Sequence, residues 1–355
     1  MDTQTSTITE AYLSKKYPIK QADNNILING AVCPTVNMVK AIQNLKVNET
    51  LSTNDYIIAM NVGDDVFGET DIEDSADSNT IIFEETHIKV NYTYDIFSKN
   101  GEAIKEDFEL LTQGRKSAPL SDTNRVLGAE NIFLEEGAKV EFATLNASDG
   151  PIYIAKNAEV MENSVIRGPF SLGEHAVVKM AAKIYGPTTI GPCSKVGGEI
   201  NNSVFFAHSN KAHDGFMGQS VIGEWCNLGS DTNTSNLKNT YEPVRLWNYP
   251  QGSFINTGLT FCGLIMGDHS KCGINTMFNT GTVVGVNCNI YGSGFQRNYI
   301  PSFRWGGTGR SSNYAINKAI QVAGIVYNRR NKEFDKTEQD ILKAVFDLTI
   351  ANSSY

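Results

Sequence analysis

Eight aliphatic residues recur at a spacing of six without a slip: Ile154, Val160, Ile166, Leu172, Val178, Ile184, Ile190 and Val196. A second run, Met266, Cys272, Phe278, Val284 and Ile290, keeps the spacing, and Ile222 to Leu228 is a shorter echo. Glycine follows the key residue at Gly173, Gly191, Gly223, Gly229, Gly267, Gly273 and Gly285. A helix repeats near 3.6 and a half-buried strand at two. A period of six is a multiple of the second and predicts a coil of short strands and tight turns. Each strand points one large apolar residue inward, and a small residue sits at the corner. With three hexads per coil, Ile154, Leu172 and Ile190 form one ladder, with strands stacked about 4.8 Å apart.

Residues 1–125 lack this register. NILING (Asn25–Gly30) reads as a strand ending in a turn, Asn37–Leu45 as a helix and YIIAM (Tyr56–Met60) as a strand. Asp64–Asn79 is an acidic, polar surface loop; Ile81–Phe83 and His87–Val90 are short strands, and Thr93–Leu111 is partly helical. The coil begins near Asn124 and is interrupted at His208–Gly218 (HSNKAHDGFMG) and from about Asp231 to Phe254. Insertions in a repeat fold become loops on one side, often the binding side. The coil ends near Gly294; Gln296–Arg310 is an aromatic, arginine-bearing loop, followed by helices at Tyr314–Asn328 and Thr337–Leu348. Ile341, Leu342, Val345 and Phe346 share a face of the last helix, and Thr337 with Asp340 resembles a capping box. These helices are expected to cover the solenoid end or to pack on a neighbouring subunit. The expected organisation is therefore a small α/β fragment over 1–125, a coil over 126–295 and a C-terminal loop with helices over 296–355.

A net charge of −9, from 39 acidic and 30 basic residues, argues against a nucleic-acid binder. No run of 18 apolar residues is present and the first twenty residues lack a secretory core, so neither a membrane partner nor export is expected. The six cysteines show no CxxC spacing, which reads as reduced thiols in a cytoplasmic protein without structural zinc. Neither GxGxxG nor GxxxxGK[ST] occurs.

His213 lies in the first interruption, flanked by Lys211, Asp214 and Phe216. A histidine titrating near neutrality can take a proton from an attacking amine or hydroxyl. Asp214 or Glu224 could orient it, His208 could share its loop, and Asn227, Asn236 and Lys238 could bind the acceptor.

From about Pro151 to Lys238 the chain resembles the acyltransferase half of sugar-1-phosphate nucleotidyltransferase/acetyltransferases, of the archaeal bifunctional type and, more distantly, bacterial GlmU. The strings that carry the likeness are GPIYIAKNAEV, IRGPFSLG, IYGPTTIG and VGGEINNSVFFAHSNKAHDGFMGQSVIGEWCNLGSDTNTSNLK. A closer resemblance, to the GlmU-like proteins of Bacteroidetes, extends over NILINGAVCPT, RLWNY and GLIMGDHSKCGINTMFNTGTVVGV. The resemblance implies a mainly β fold, a left-handed parallel β-helix of hexapeptide repeats, and a homotrimer with its active site between subunits. It puts His213 at the general base and Phe216 where the family usually has tyrosine. It puts Asn227 and Lys238 on the substrate side, where Lys211 and Asn236 are expected to join them from their place near His213, and Gly267, Lys271 and Gly285 on the edge that receives acetyl-CoA. The acceptor it implies is an amino-sugar phosphate or a nucleotide sugar.

The glycine-rich nucleotide-binding turn and the arginine motif that open the family's first domain do not occur in this sequence. Nucleotidyl transfer needs such groups, with Mg2+, to hold a triphosphate. The expectation is an acyltransferase. The alternatives are a nucleotidyltransferase homologue with a degenerate or missing catalytic half, and a non-enzymatic trimeric scaffold.

Overall fold

The computed structural model describes residues 4–62 and 79–351. All but the last residue of the acidic Asp64–Asn79 segment lie outside them. Two compact units are present, Met1–Tyr92 and Thr93–Tyr355.

In the first unit a four-stranded sheet runs in the order Asn25–Ile28, Ile57–Val62, Thr50–Ser52, Thr80–Ile82. The first two pairings are antiparallel and the last is parallel. Helix α1 (Val36–Gln43) starts where Thr35 Oγ1 accepts a hydrogen bond from the Met38 amide at 3.2 Å. It buries Met38 and Ile42 against Leu51 and Ile58. His87–Val90, expected as a strand, contributes only an isolated bridge from Lys89 to Val32.

The second unit is a parallel β-solenoid. Its strands fall on three faces. Face 1 stacks Ile152–Ile154, Phe170–Leu172 and Thr188–Ile190; face 2 stacks Glu159–Val160, Val177–Val178 and Lys195–Val196; face 3 stacks Val165–Arg167, Lys183–Tyr185 and Glu199–Asn201. Leu172 pairs with Ile154 on one side and Ile190 on the other, as the ladder requires. All three are fully buried, each side chain contributing roughly 1.5–3 kcal/mol by leaving water. At the corner between faces 1 and 2, Ala158, Ala176, Ser194, Ser209, Cys226, Ser270 and Cys288 fill the inside. The serine hydroxyls satisfy turn carbonyls there, as Ser209 Oγ does by donating to Gly223 O at 2.6 Å.

The first expected interruption is not one. His208–Gly218 forms a continuous part of the coil, with Asn210–Lys211 on face 2 and Phe216–Gly218 on face 3. The inward sequence runs Val196, Ile200, Phe205, Lys211, Met217, Ile222, Leu228. Three steps are shorter than the hexad, Val196 to Ile200, Ile200 to Phe205 and Met217 to Ile222, and a lysine occupies one inward position, so the phase is lost in sequence but not in space. The second interruption is real but starts later than Asp231, because Asn233–Thr234 still pairs in parallel with Met277–Phe278; beyond it an antiparallel hairpin, Arg245–Asn248 with Ser253–Asn256, lies over the outer side of face 1. The coil also continues past Gly294, because Tyr299–Ile300 and Trp305 pair in parallel with Val283–Val284 and Asn289.

Helices α2 (Asp95–Ser98) and α3 (Asn100–Thr112) cover the lower part of face 1. Phe97 packs with Val204 and Val221, and Asn100 donates to Pro187 O at 3.0 Å and accepts from Thr189 Oγ1 at 2.8 Å. Helices α4 (Ile316–Asn328) and α5 (Lys336–Ala351) run beside the corner between faces 1 and 2. They bury Ala319, Ala323 and Leu342 against Phe303 and Tyr314. The capping residue of α5 is Asp335, whose carboxylate accepts from the Glu338 amide at 2.9 Å. Thr337, expected in that role, lies inside the helix.

Candidate functional site

His213 stands at the corner between faces 2 and 3, exposed together with Asp214. The corner is built from below by Lys211, whose stem takes the inward direction dictated by its register with Val196. Lys211 was expected to touch substrate. It is instead fully buried, and its ammonium donates to His213 O at 2.7 Å and to Asp214 O at 3.0 Å. Burial pulls its pKa down to about 8, against the opposing pull of Asp214, Cys272 and Asp231.

The next coil holds the corner from above. The Asp231 amide donates to Asp214 O at 3.0 Å. Asn233 accepts from the Phe216 amide at 2.8 Å and donates to both Asp231 oxygens, O and Oδ1, at 3.0 Å. Asp231 and Asn233 escaped the sequence reading. Their signal is position: they follow the inward Leu228 by three and five residues, as His213 and Phe216 follow Lys211 by two and five.

Phe216 is half-buried on face 3 beside Gly218 and Asn236; a Cβ at Gly218 would lie 2.6 Å from Asn236 Nδ2 and 2.8 Å from Phe216 Cζ. Asn236 spends its amide on Gln219 Oε1. Lys238 turns back on its own loop, donating to Pro243 O at 3.0 Å and lying 4.0 Å from Glu242. Asn227 is exposed on face 2, in register with Asn210 and Lys271. Lys271 lays its ammonium on His269 O at 2.8 Å, and burial lowers its pKa. Among the described residues no hydrogen bond joins Asp214 to the His213 ring.

The structure therefore brings His213, Asp214 and Phe216 to one edge, with Asn227 and Lys271 on the adjoining face. It does not bring Gly267 and Gly285 there. Both follow face 1 and occupy the opposite corner. A Cβ at Gly285 would sit 2.4 Å from Ser302 N, and one at Gly267 would sit 2.9 Å from Gly285 C. Val286 beside them is packed under the C-terminal helices. Helix α4 packs beside that corner, with Tyr327 stacked on Trp225. His208 and Glu224 lie on that corner as well, and neither shares a turn with His213. The His213 edge continues instead through Gly229–Asp231 and Gly273–Asn275, with Ile274 70% exposed. A shallow groove of about 450 Å³ on face 3, lined by Val165, Arg167, Lys183 and Tyr185, contains none of the candidate residues. Among the described residues no helix is long and apolar enough to cross a membrane. No group of three or more His, Cys, Asp or Glu is placed among them to hold a metal ion.

The family model described as sugar nucleotidyl transferase matches residues 1–116. The bifunctional protein GlmU of Methanocaldococcus jannaschii is 36% identical over 92 residues, 26% of this chain and 22% of the relative. The bifunctional sugar-1-phosphate nucleotidylyltransferase/acetyltransferase of Sulfurisphaera tokodaii is 28% identical over 189 residues, 47% of each. An uncharacterized acetyltransferase of Escherichia coli, YaiX, is 28% identical over 148 residues, 41% of this chain and 64% of the relative. The chain thus spans about half or less of the length of the bifunctional relatives it matches. A solved UDP-N-acetylglucosamine acyltransferase, LpxA of Bacteroides fragilis, overlaps 65% of this chain and 91% of its own at 15% identity and a TM-score of 0.34, a likeness too loose to bear on chemistry. Residues 1–116 thus match the sugar nucleotidyl transferase model, and parts of the chain are similar to GlmU-type sugar-1-phosphate nucleotidyltransferase/acetyltransferases.

Proposed function

We propose that the protein is an acyl-CoA-dependent acyltransferase, with acetyl-CoA as donor and an amino-sugar phosphate or nucleotide sugar as acceptor. The observation that carries this reading is the presentation of His213. It is an exposed histidine on a turn fastened from inside by Lys211 and from above by Asp231, on a coil whose relatives include acetyltransferases.

In this reading the His213 ring removes the proton from the acceptor's amine or hydroxyl as that group attacks the thioester carbonyl. The tetrahedral oxyanion is met by a backbone amide of the edge above, and the thiolate of CoA leaves with the proton held by His213. The donor lies along the edge formed by Gly229 and Gly273, which continues the His213 corner, rather than along the Gly267–Gly285 corner beside the C-terminal helices. Phe216 and Asn227 flank the acceptor. The same site is shared between copies in a homotrimer, and the compartment is the cytoplasm.

The test is CoA release by the purified protein against a panel of amino-sugar phosphates and nucleotide sugars, compared with His213→Ala. Transfer that is equal in the two proteins removes His213 from the mechanism. No release with any acceptor, together with no thermal shift on adding acetyl-CoA, favours the scaffold.

A further inference from the structure

We infer that Lys211 is a positioning residue, whose buried ammonium fixes the carbonyls of His213 and Asp214 and so sets the turn that presents the His213 ring.

Three observations converge on it. First, the inward positions of face 2 are otherwise apolar: Val160, Val178 and Val196 below, Leu228, Cys272 and Ile290 above, all buried. A cation enclosed in such a row costs several kcal/mol unless its donors are engaged. The two carbonyls, at 2.7 and 3.0 Å, engage two of its three donors.

Second, the His213 turn differs from its equivalents. At the same corner Asn163, Ala181, Asp231 and Asn275 take left-handed φ of 60°, 59°, 55° and 55°. In the His213 turn the equivalent residue, Asp214, does not; the next one, Gly215, takes φ 116°. A Cβ at Gly215 would meet Thr232 O at 2.3 Å, so only glycine closes the turn this way.

Third, the two turns above the His213 turn are tied from inside by a hydroxyl at the position of Gly215. Thr232 Oγ1 donates to Gly229 O at 2.7 Å, and Thr276 Oγ1 donates to Gly273 O at 2.8 Å. Gly215 has no side chain, and Lys211, in the strand that leads into the turn, ties the carbonyls of His213 and Asp214 instead. The turn carrying the candidate base is thus the one that exchanges a local hydroxyl for a cation.

The role in catalysis rests on the acyl-transfer reading; the role in ordering the turn does not. The experiment is Lys211→Met, which keeps the length and removes the donor. Three amides report on the turn in hydrogen exchange: Glu199, bonded to Gly215 O; Asp231, bonded to Asp214 O; and Phe216, bonded to Asn233. The expected result is exchange at least about tenfold faster at these three, with Leu172 and Ile190 unchanged. With acyl transfer established, kcat falls at least about tenfold while the KM for acyl-CoA stays within about twofold. Unchanged exchange at all three amides overturns the proposal. If Lys211→Met does not fold, the wild-type protein decides: a buried, bonded ammonium gives a slowly exchanging Nζ signal in lysine-labelled protein at pH 6, and its absence overturns the proposal. If His213→Ala retains full transfer, the acyl-transfer reading fails while the exchange result still stands for Lys211.

Discussion

Trp225 and Tyr327 stack with ring centroids 4.1 Å apart and planes 22° from parallel. This contact fastens helix α4 to the corner between faces 1 and 2. Tyr327 also meets Phe334 at 4.9 Å, and Trp225 stacks on His208 at 4.1 Å, so the rings form a continuous stack from coil to helices. The C-terminal helices are therefore held along the side of the solenoid. Trp225→Ala is expected to cost about 3–5 kcal/mol. It should release α4 and α5 to limited proteolysis while leaving the far-ultraviolet signal of the coil. A variant as resistant as the parent would show that the helices are held elsewhere.

His208 makes this contact sensitive to acid. Burial lowers its pKa below the usual histidine value, and Lys332 and Arg330 lower it further. Its Nδ1 is enclosed without a hydrogen-bond partner. The unfolded chain takes up a proton near pH 6.5 and the folded state resists it, so stability falls as pH drops below about 6.5. In His208→Phe, which keeps the ring stack, that part of the pH dependence should vanish in denaturation curves between pH 7 and 5.

Lys211 acts at the other end of the scale. Its pKa is pulled from 10.5 down to about 8 by burial. Between these values the unfolded lysine holds a proton that the folded one has released, so stability rises with pH across that window. The gain is at most about 3 kcal/mol. Lys211→Met should flatten the window and be no less stable than the parent at pH 7, since an enclosed cation is replaced by a side chain of like volume. A marked loss of stability would mean that the ammonium contributes more than it costs.

The aliphatic ladder carries the fold. Leu172 is fully enclosed between Ile154 and Ile190, and Leu172→Ala should destabilise by about 2–5 kcal/mol in chemical denaturation. A change below about 1 kcal/mol would place its side chain outside the ladder.

His213→Ala should lower kcat for acyl transfer by at least about 10²-fold, with the fold unchanged because the ring is exposed. Circular dichroism and CoA release on the same sample separate the two effects.

Three layers of ladder were legible in the chain because one side chain in six must face inward, and burial imposes that period whatever the rest of the strand does. The coil through His208–Gly218 was not legible. Ile200 follows Val196 by four residues instead of six, and Lys211 stands where the pattern demands an aliphatic. A change in corner length and a cation at an inward position look like an insertion in one dimension. The helix cap at Asp335 was displaced for a similar reason: Thr337 and Asp340 satisfy the pattern, but the turn that comes first in space decides where the helix starts.

By itself the sequence determined that the second unit winds as a parallel coil, which residues of its in-phase hexads face the axis, and which residue types could move a proton. Only the tertiary structure decided which corner each of them occupies. His213 and Gly267 both follow an inward residue by one or two positions, yet they stand on opposite edges, because corner identity depends on the summed length of every preceding turn. That sum is fixed by strand pairing between coils. The same pairing carries Lys211 inward and turns the carbonyls of His213 and Asp214 toward it.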